Sequence, residues 1–110
     1  MGENRRSVDA QARYDELVDD LMARNPDVET AKMMGMPCVK RGGKMVAGFW
    51  RDGEAMVFKL PDAAQREAAL ALAGAHLFDP MGGRPMKEWV VVPPDHASEW
   101  PRLAGEALGS

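Results

Sequence analysis

Between Met36 and Leu60 the chain is written as three short apolar runs cut by glycine turns, a pattern that restricts the middle of the molecule to an antiparallel meander. Met36 to Lys40 reads as a strand, Arg41-Gly42-Gly43-Lys44 as a turn, and Met45 to Arg51 as a second strand. Asp52-Gly53 then reads as a tight hairpin turn and Glu54 to Leu60 as a third strand. Side chains alternate across a strand, so Met45, Ala47 and Phe49 are expected on one face of the second strand and Val46, Gly48 and Trp50 on the other. In the third, Met56, Phe58 and Leu60 oppose Ala55, Val57 and Lys59. Both faces are largely apolar, which predicts that both are at least partly covered.

Helical periodicity flanks the meander. From Asp9 to Arg24, Tyr14, Leu17, Val18, Leu21 and Met22 recur with the spacing of one helix face, and Asn25-Pro26 stops the run. The opposite face carries Asp15, Glu16, Asp19 and Asp20, which read as a solvated surface, because carboxylates without His or Cys make a poor transition-metal cluster. After Leu60-Pro61, Asp62 is placed to cap a second helix, with Gln65 in the capping-box position. That helix is expected to reach about Ala73, with Gly74 ending it. A loop from Ala75 to Pro85 leads into a fourth strand, Met86 to Val92, and Pro93-Pro94 ends that strand. A last helix is expected from near Ser98, with Pro101 in its first turn and Trp100, Leu103, Ala104, Ala107 and Leu108 packed inward. The expected fold is α+β in the order α-β-β-β-α-β-α, an antiparallel sheet packed by helices. Residues 1 to 8 are expected as a disordered tail and residues 9 to 108 as a single domain, which suits a length of 110.

Composition narrows the function classes. The start is polar where a secretory leader needs an apolar stretch, and no run approaches the length of a membrane span, so a cytoplasmic protein without membrane contact is expected. The single cysteine, Cys38, allows no internal disulfide and no cysteine-based zinc site. The net charge of −3 is unevenly spread. Residues 32 to 59 hold six Lys or Arg against two acids, whereas residues 1 to 31 hold four against eight and residues 60 to 110 four against seven. Such asymmetry marks either a surface for an anionic partner or solvated strand edges.

No constellation for catalysis, cofactor binding or metal ligation is visible. Cys38 lies between Pro37 and Val39 in a strand with no base in view, and reads as a buried structural thiol. His76 and His96 lack ligand spacing and read as surface residues. Gly82-Gly83-Arg84 lacks both the Walker spacing and the strand-to-helix setting of a phosphate loop. Lys59, Arg84 and Lys87, with Trp89, form a candidate anion or partner site. The alternative for the three cations is an ion-pair network with Glu88 or Asp79, the favoured reading, because a lysine in an apolar strand must snorkel or pair. Lys40, Arg41, Lys44 and Arg51 gather about two hairpin turns and are the candidate nucleic-acid contacts, weakly so for a chain of pI near 5.3. Of the methionines, Met33, Met34, Met36, Met81 and Met86 read mainly as core filler, whereas joint exposure would point to homodimerisation or a peptide groove.

Four segments carry a family resemblance: Met34-Gly35-Met36-Pro37, Gly43-Lys44-Met45-Val46-Ala47-Gly48, Phe58-Lys59-Leu60-Pro61, and Gly83-Arg84-Pro85-Met86-Lys87-Glu88-Trp89-Val90-Val91-Val92-Pro93. In their order and spacing, from about Tyr14 to Leu108, the chain resembles the N-terminal domain of the TfoX/Sxy family and, more distantly, the YjbR/MmcQ family. The best-known members of the first are bacterial regulators of DNA-uptake competence, so the resemblance implies an α+β domain used in regulation rather than catalysis. The longer regulators carry a second, helical domain, and a stand-alone domain with another partner is the expectation for the 110 residues here. The expected function is a non-catalytic regulatory or protein-interaction domain whose partner is another protein. The alternatives are direct nucleic-acid binding through the basic hairpin region, or a small anion-binding protein or enzyme using Lys59, Arg84 and Lys87.

Overall fold

Of the apolar stripe expected on the first helix, Tyr14, Leu17, Val18 and Leu21 are buried, joined by Ala10, whereas Met22 at its edge is 41% exposed. The computed structural model describes residues 2–33, 35–79 and 82–109, with the backbone alone over residues 2–9 and at residue 53. Helix α1 spans Gly2–Arg24 and so begins well before Asp9; from residue 2 onward, the segment expected as a tail forms its opening turns. Asn25 closes the helix, its backbone N–H and its side-chain Nδ2 both donating to Leu21 O at 2.9 Å, and Pro26 follows.

Six antiparallel strands follow among the described residues: β1 (Val28–Met33), β2 (Met36–Arg41), β3 (Lys44–Trp50), β4 (Ala55–Lys59), β5 (His76–Phe78) and β6 (Met86–Val92). They form one sheet in the order β1-β2-β3-β4-β6-β5. Helix α2 (Ala63–Leu70) connects β4 to β5, and α3 (Trp100–Gly109) follows β6 after a 3-10 segment, Pro94–Glu99. The fold is α+β, with two strands more than the sequence pattern predicts. Strand β1 buries only Val28, and β5 is three residues long inside a segment expected as loop.

Asp62 Oδ1 accepts the Gln65 N–H at 3.0 Å and caps α2 as expected. The helix ends at Leu70 rather than near Ala73, because the chain tightens: Leu72 N donates to Ala69 O and Ala75 N to Leu72 O. Gly74 turns the chain at φ +85°. Between β3 and β4 a 3-10 turn, Arg51–Gly53, replaces the expected two-residue hairpin and leaves Glu54 at φ 52° in the left-handed region.

The main core lies between one face of the sheet and the helices. Val39, Ala47, Phe49, Met56, Phe58, Val90 and Val92 pack there against the α1 stripe and against Trp100, Leu103, Ala104, Ala107 and Leu108 of α3. Tyr14 and Phe49 meet with ring centroids 5.2 Å apart, and Trp100 Nε1 donates to Val92 O at 3.2 Å, fastening the start of α3 to the end of β6.

One irregularity changes which residues share a face. The β2–β3 register shifts so that Val39 pairs with Ala47 and Lys40 with Met45, which leaves Val46 as the extra residue of a bulge. Strict alternation would put Val46 with Gly48 and Trp50. Instead Val46 packs on the helical core beside Ala47, and the Met45 side chain passes to the Gly48 face.

On that face the methyl tips of Met36 and Met45 fill the space over Gly48. A Cβ built on Gly48 would lie 2.9 Å from each tip and 3.2 Å from Pro37 O. The tips can swing aside, but the carbonyl belongs to the neighbouring strand. Gly48→Val is therefore expected to lower the unfolding free energy in urea by about 1–3 kcal/mol despite the better strand propensity of valine, with Gly48→Ala falling between the two.

Candidate interaction surface on the open sheet face

The sheet face away from the main core has an apolar cover built from its own strands. Ala55 and Val57 of β4, Val91 of β6 and Phe78 of β5 are buried there, and Met36 of β2, Trp50 of β3 and Trp89 of β6 pack over them half-buried. No residue of a described helix belongs to this cluster. Trp50 and Phe78 meet edge to face with centroids 5.8 Å apart, although β4 and β6 lie between their strands. Across that gap the small side chain of Ala55, register partner of Trp50, leaves room for the indole.

Lys59 pairs in register with Trp89, and Lys87 lies two residues before Trp89, where the pairing of β6 with β5 slips from Leu77–Val90 to Phe78–Met86. Lys59 is half-buried and Lys87 exposed. The structure thus brings Lys59 and Trp89 together at one end of the open face, with Lys87 exposed in the irregular start of β6 and Arg84 in the turn leading into it.

The expected ion-pair network among Lys59, Arg84, Lys87, Glu88 and Asp79 is not formed among the described residues. Asp79 is occupied elsewhere: its carboxylate accepts the Gly83 N–H at 2.8 Å and the Arg84 N–H at 3.3 Å. The Gly83 bond is the largest reason its carboxyl is held below the ordinary 3.8, with the Arg84 and Gly82 amides adding to it. Glu88 alternates to the helical face, and its backbone O accepts Leu60 N at 2.7 Å.

The basic hairpin residues do not form one patch. Arg41 Nε lies 2.7 Å from Asp27 Oδ2, and its Nη1 donates to Leu108 O at 3.1 Å, so this side chain ties β2 to the α1–β1 connection and to the C-terminal end of α3. Lys44 and Arg51 are both exposed, but seven residues of extended chain place them at opposite ends of β3, about 23 Å apart at ~3.3 Å per residue.

The other singled-out residues have ordinary settings. Cys38 is buried, and burial pushes its thiol up more strongly than Lys40 draws it down. His96 Nε2 lies 2.9 Å from Ala73 O and His76 Nδ1 2.9 Å from Leu77 O, both hydrogen-bonding distances to backbone carbonyls. Among the described residues no group of three or more His, Cys, Asp or Glu is arranged to hold a metal, and no helix is long and apolar enough to cross a membrane. Met22, Met33 and Met86 are exposed, but they sit on α1, β1 and β6 and do not form a group; Met34 and Met81 lie outside the described residues.

Trp50, Phe78, Met36 and Met45 complete the surface; of these the sequence pattern marks Met36, among the methionines whose joint exposure points to a groove. The available signal was Trp50 alternating with Gly48 in a strand that already had a second apolar face. No family model, curated protein or solved structure matches the chain.

Two outcomes follow from these contacts. Arg41→Ala is expected to lower stability by about 0.5–1.5 kcal/mol in urea unfolding, the partial exposure of the pair limiting the loss, whereas Lys44→Ala stays within about 0.5 kcal/mol of wild type. A depressed folded-state pKa makes the Asp79 loop contact fully present above the ordinary aspartate value and lost as pH falls through the lower folded value. Protection factors at Gly83 and Arg84 in amide exchange, followed by NMR, should therefore fall only below that ordinary value in wild type, and be low already at neutral pH in Asp79→Ala.

Proposed function

We propose that the chain is a non-catalytic protein-interaction module that works in regulation and docks its partner on the open sheet face. The observation that carries this reading is the pairing of an apolar Trp50–Phe78–Trp89 cover, with no described helix over it, and the cations Lys59 and Lys87, which have no ion-pair partner among the described residues. A contiguous apolar area rimmed by charge is the usual composition of a recognition surface. The resemblance to the TfoX N-terminal domain supports a regulatory setting, and a cytoplasmic address goes with it.

Direct nucleic-acid binding is the weaker reading. Arg41 is committed to Asp27 and Leu108, and Lys44 and Arg51 stand too far apart to neutralise neighbouring phosphates together. The test is capture of partners from cell extract by the tagged full chain, with and without nuclease. Wild type is compared with Trp89→Ala and with the Arg84→Ala, Lys87→Ala double variant. A stoichiometric protein that survives nuclease and is lost with Trp89→Ala is the expected result. Recovery that disappears with nuclease, unchanged by Trp89→Ala, would overturn the reading in favour of nucleic acid.

A further inference from the structure

We infer that the occupant of the open sheet face is an acidic amphipathic helix, its apolar stripe seated on Met36, Trp50 and Trp89 and its carboxylates set against Lys59 and Lys87. This rests on the interaction-module reading and adds the chemistry of the partner.

The backbone argument comes first. Strands β2, β3, β4 and β6 each have a hydrogen-bonded neighbour on both sides, so the covered part of this face offers side chains and no free ladder. An extended peptide needs a sheet edge to satisfy its own N–H and C=O groups. An occupant lying on the face must bring its backbone hydrogen bonds with it, and a helix does so within a single segment. The opposite face of the same sheet is covered in this way by α1 and α3.

Charge then selects the helix. At this end of the open face Lys59 is set beside Trp89, Lys87 is exposed two residues before Trp89 on the same strand, and Arg84 stands in the adjoining turn. Of the acids nearest in sequence, Asp79 is turned into the amides of its own loop, and the backbone of Glu88 is bonded to that of Leu60, a residue of the helical core. The acidic helix within this chain, α1, already spends its apolar stripe on the main core. For single-stranded nucleic acid, Trp50 is held in an edge-to-face pair with Phe78 and both tryptophans are half-buried, so the rings form a continuous floor rather than separate stacking platforms.

The experiment titrates the full-length chain, by tryptophan fluorescence and calorimetry, with two synthetic helical peptides. Both carry leucine at i, i+3, i+4 and i+7, with glutamate on the outer face of one and lysine on that of the other. Oligo-dT serves as a third ligand, and sedimentation of the chain alone reports self-association. The glutamate peptide is expected to bind at least about tenfold more tightly than the lysine peptide at low salt, with the margin shrinking as salt rises. Lys59→Glu plus Lys87→Glu should reverse the order, and Trp89→Ala should weaken both. Because Lys59 is half-buried, Lys87→Glu alone provides a milder variant on an exposed position, and circular dichroism verifies the fold of each.

Equal binding of both peptides, tighter binding of the lysine peptide, binding of oligo-dT alone, or self-association lost with Trp89→Ala would each overturn the acidic helix. If the glutamate peptide fails while capture from extract still depends on Trp89, the partner chemistry falls and the interaction surface stands. If neither depends on Trp89, both fall.

Discussion

The structure depends on β4 being buried on both sides. Ala55 and Val57 face the aromatic cover, Met56 and Phe58 face the helices, and none of the four is more than slightly accessible. Its ladder to β3 is local, but its ladder to β6 joins segments separated by α2 and β5, and the Leu60 N–H to Glu88 O bond extends that junction past the end of the strand. Each large side chain placed there contributes about 1.5–3 kcal/mol of burial, which offsets the entropy of closing the long excursion. Trp100 then fastens α3 to the far end of β6, so the helical layer inherits its position from the same junction.

The chemistry of individual residues explains which parts of this arrangement are legible in sequence. Helix α1 announces itself because its stripe repeats with the helical period, and the β2–β3–β4 meander because glycine turns separate its runs. Strand β1 is hidden because its sequence, VETAKM, is that of a solvated edge: charges at Glu29 and Lys32 discourage edge pairing while the backbone still completes the sheet. Strand β5 is hidden by its length. The bulge at Val46 is invisible because Met45, Val46 and Ala47 are all apolar, so no change of pattern marks the residue that leaves the alternation. At the candidate surface, the shared face of Lys59 and Trp89 follows from alternation plus register. The Trp50–Phe78 contact needs the order of strands across the sheet, which no local pattern encodes.

Electrostatics divides the molecule in the same sense as the packing. The outward surface of the helical layer carries Asp15, Glu16, Asp19 and Asp20, and Arg102 is held between Glu99 and Glu106 at 2.8 Å from each. The end of the opposite face formed by β4 and β6 carries Lys59, with Lys87 exposed nearby at the start of β6. A modest net charge of −3 therefore conceals a dipolar distribution, which orients an approaching charged partner before contact. Arg41 belongs to neither surface; it satisfies a carbonyl at the end of α3 from a strand on the far side of the hairpin.

The two faces of the sheet are sealed by different means, one by separate helices and the other by the strands' own aromatic and methionine side chains. Substitutions in the two layers share few partners, since the strands between them contribute alternate residues to each. Their energetic effects should then add rather than couple. A lineage carrying this architecture can revise the chemistry of its exposed cover, and with it the molecules it recognises, while the interior that sets its stability is inherited unchanged.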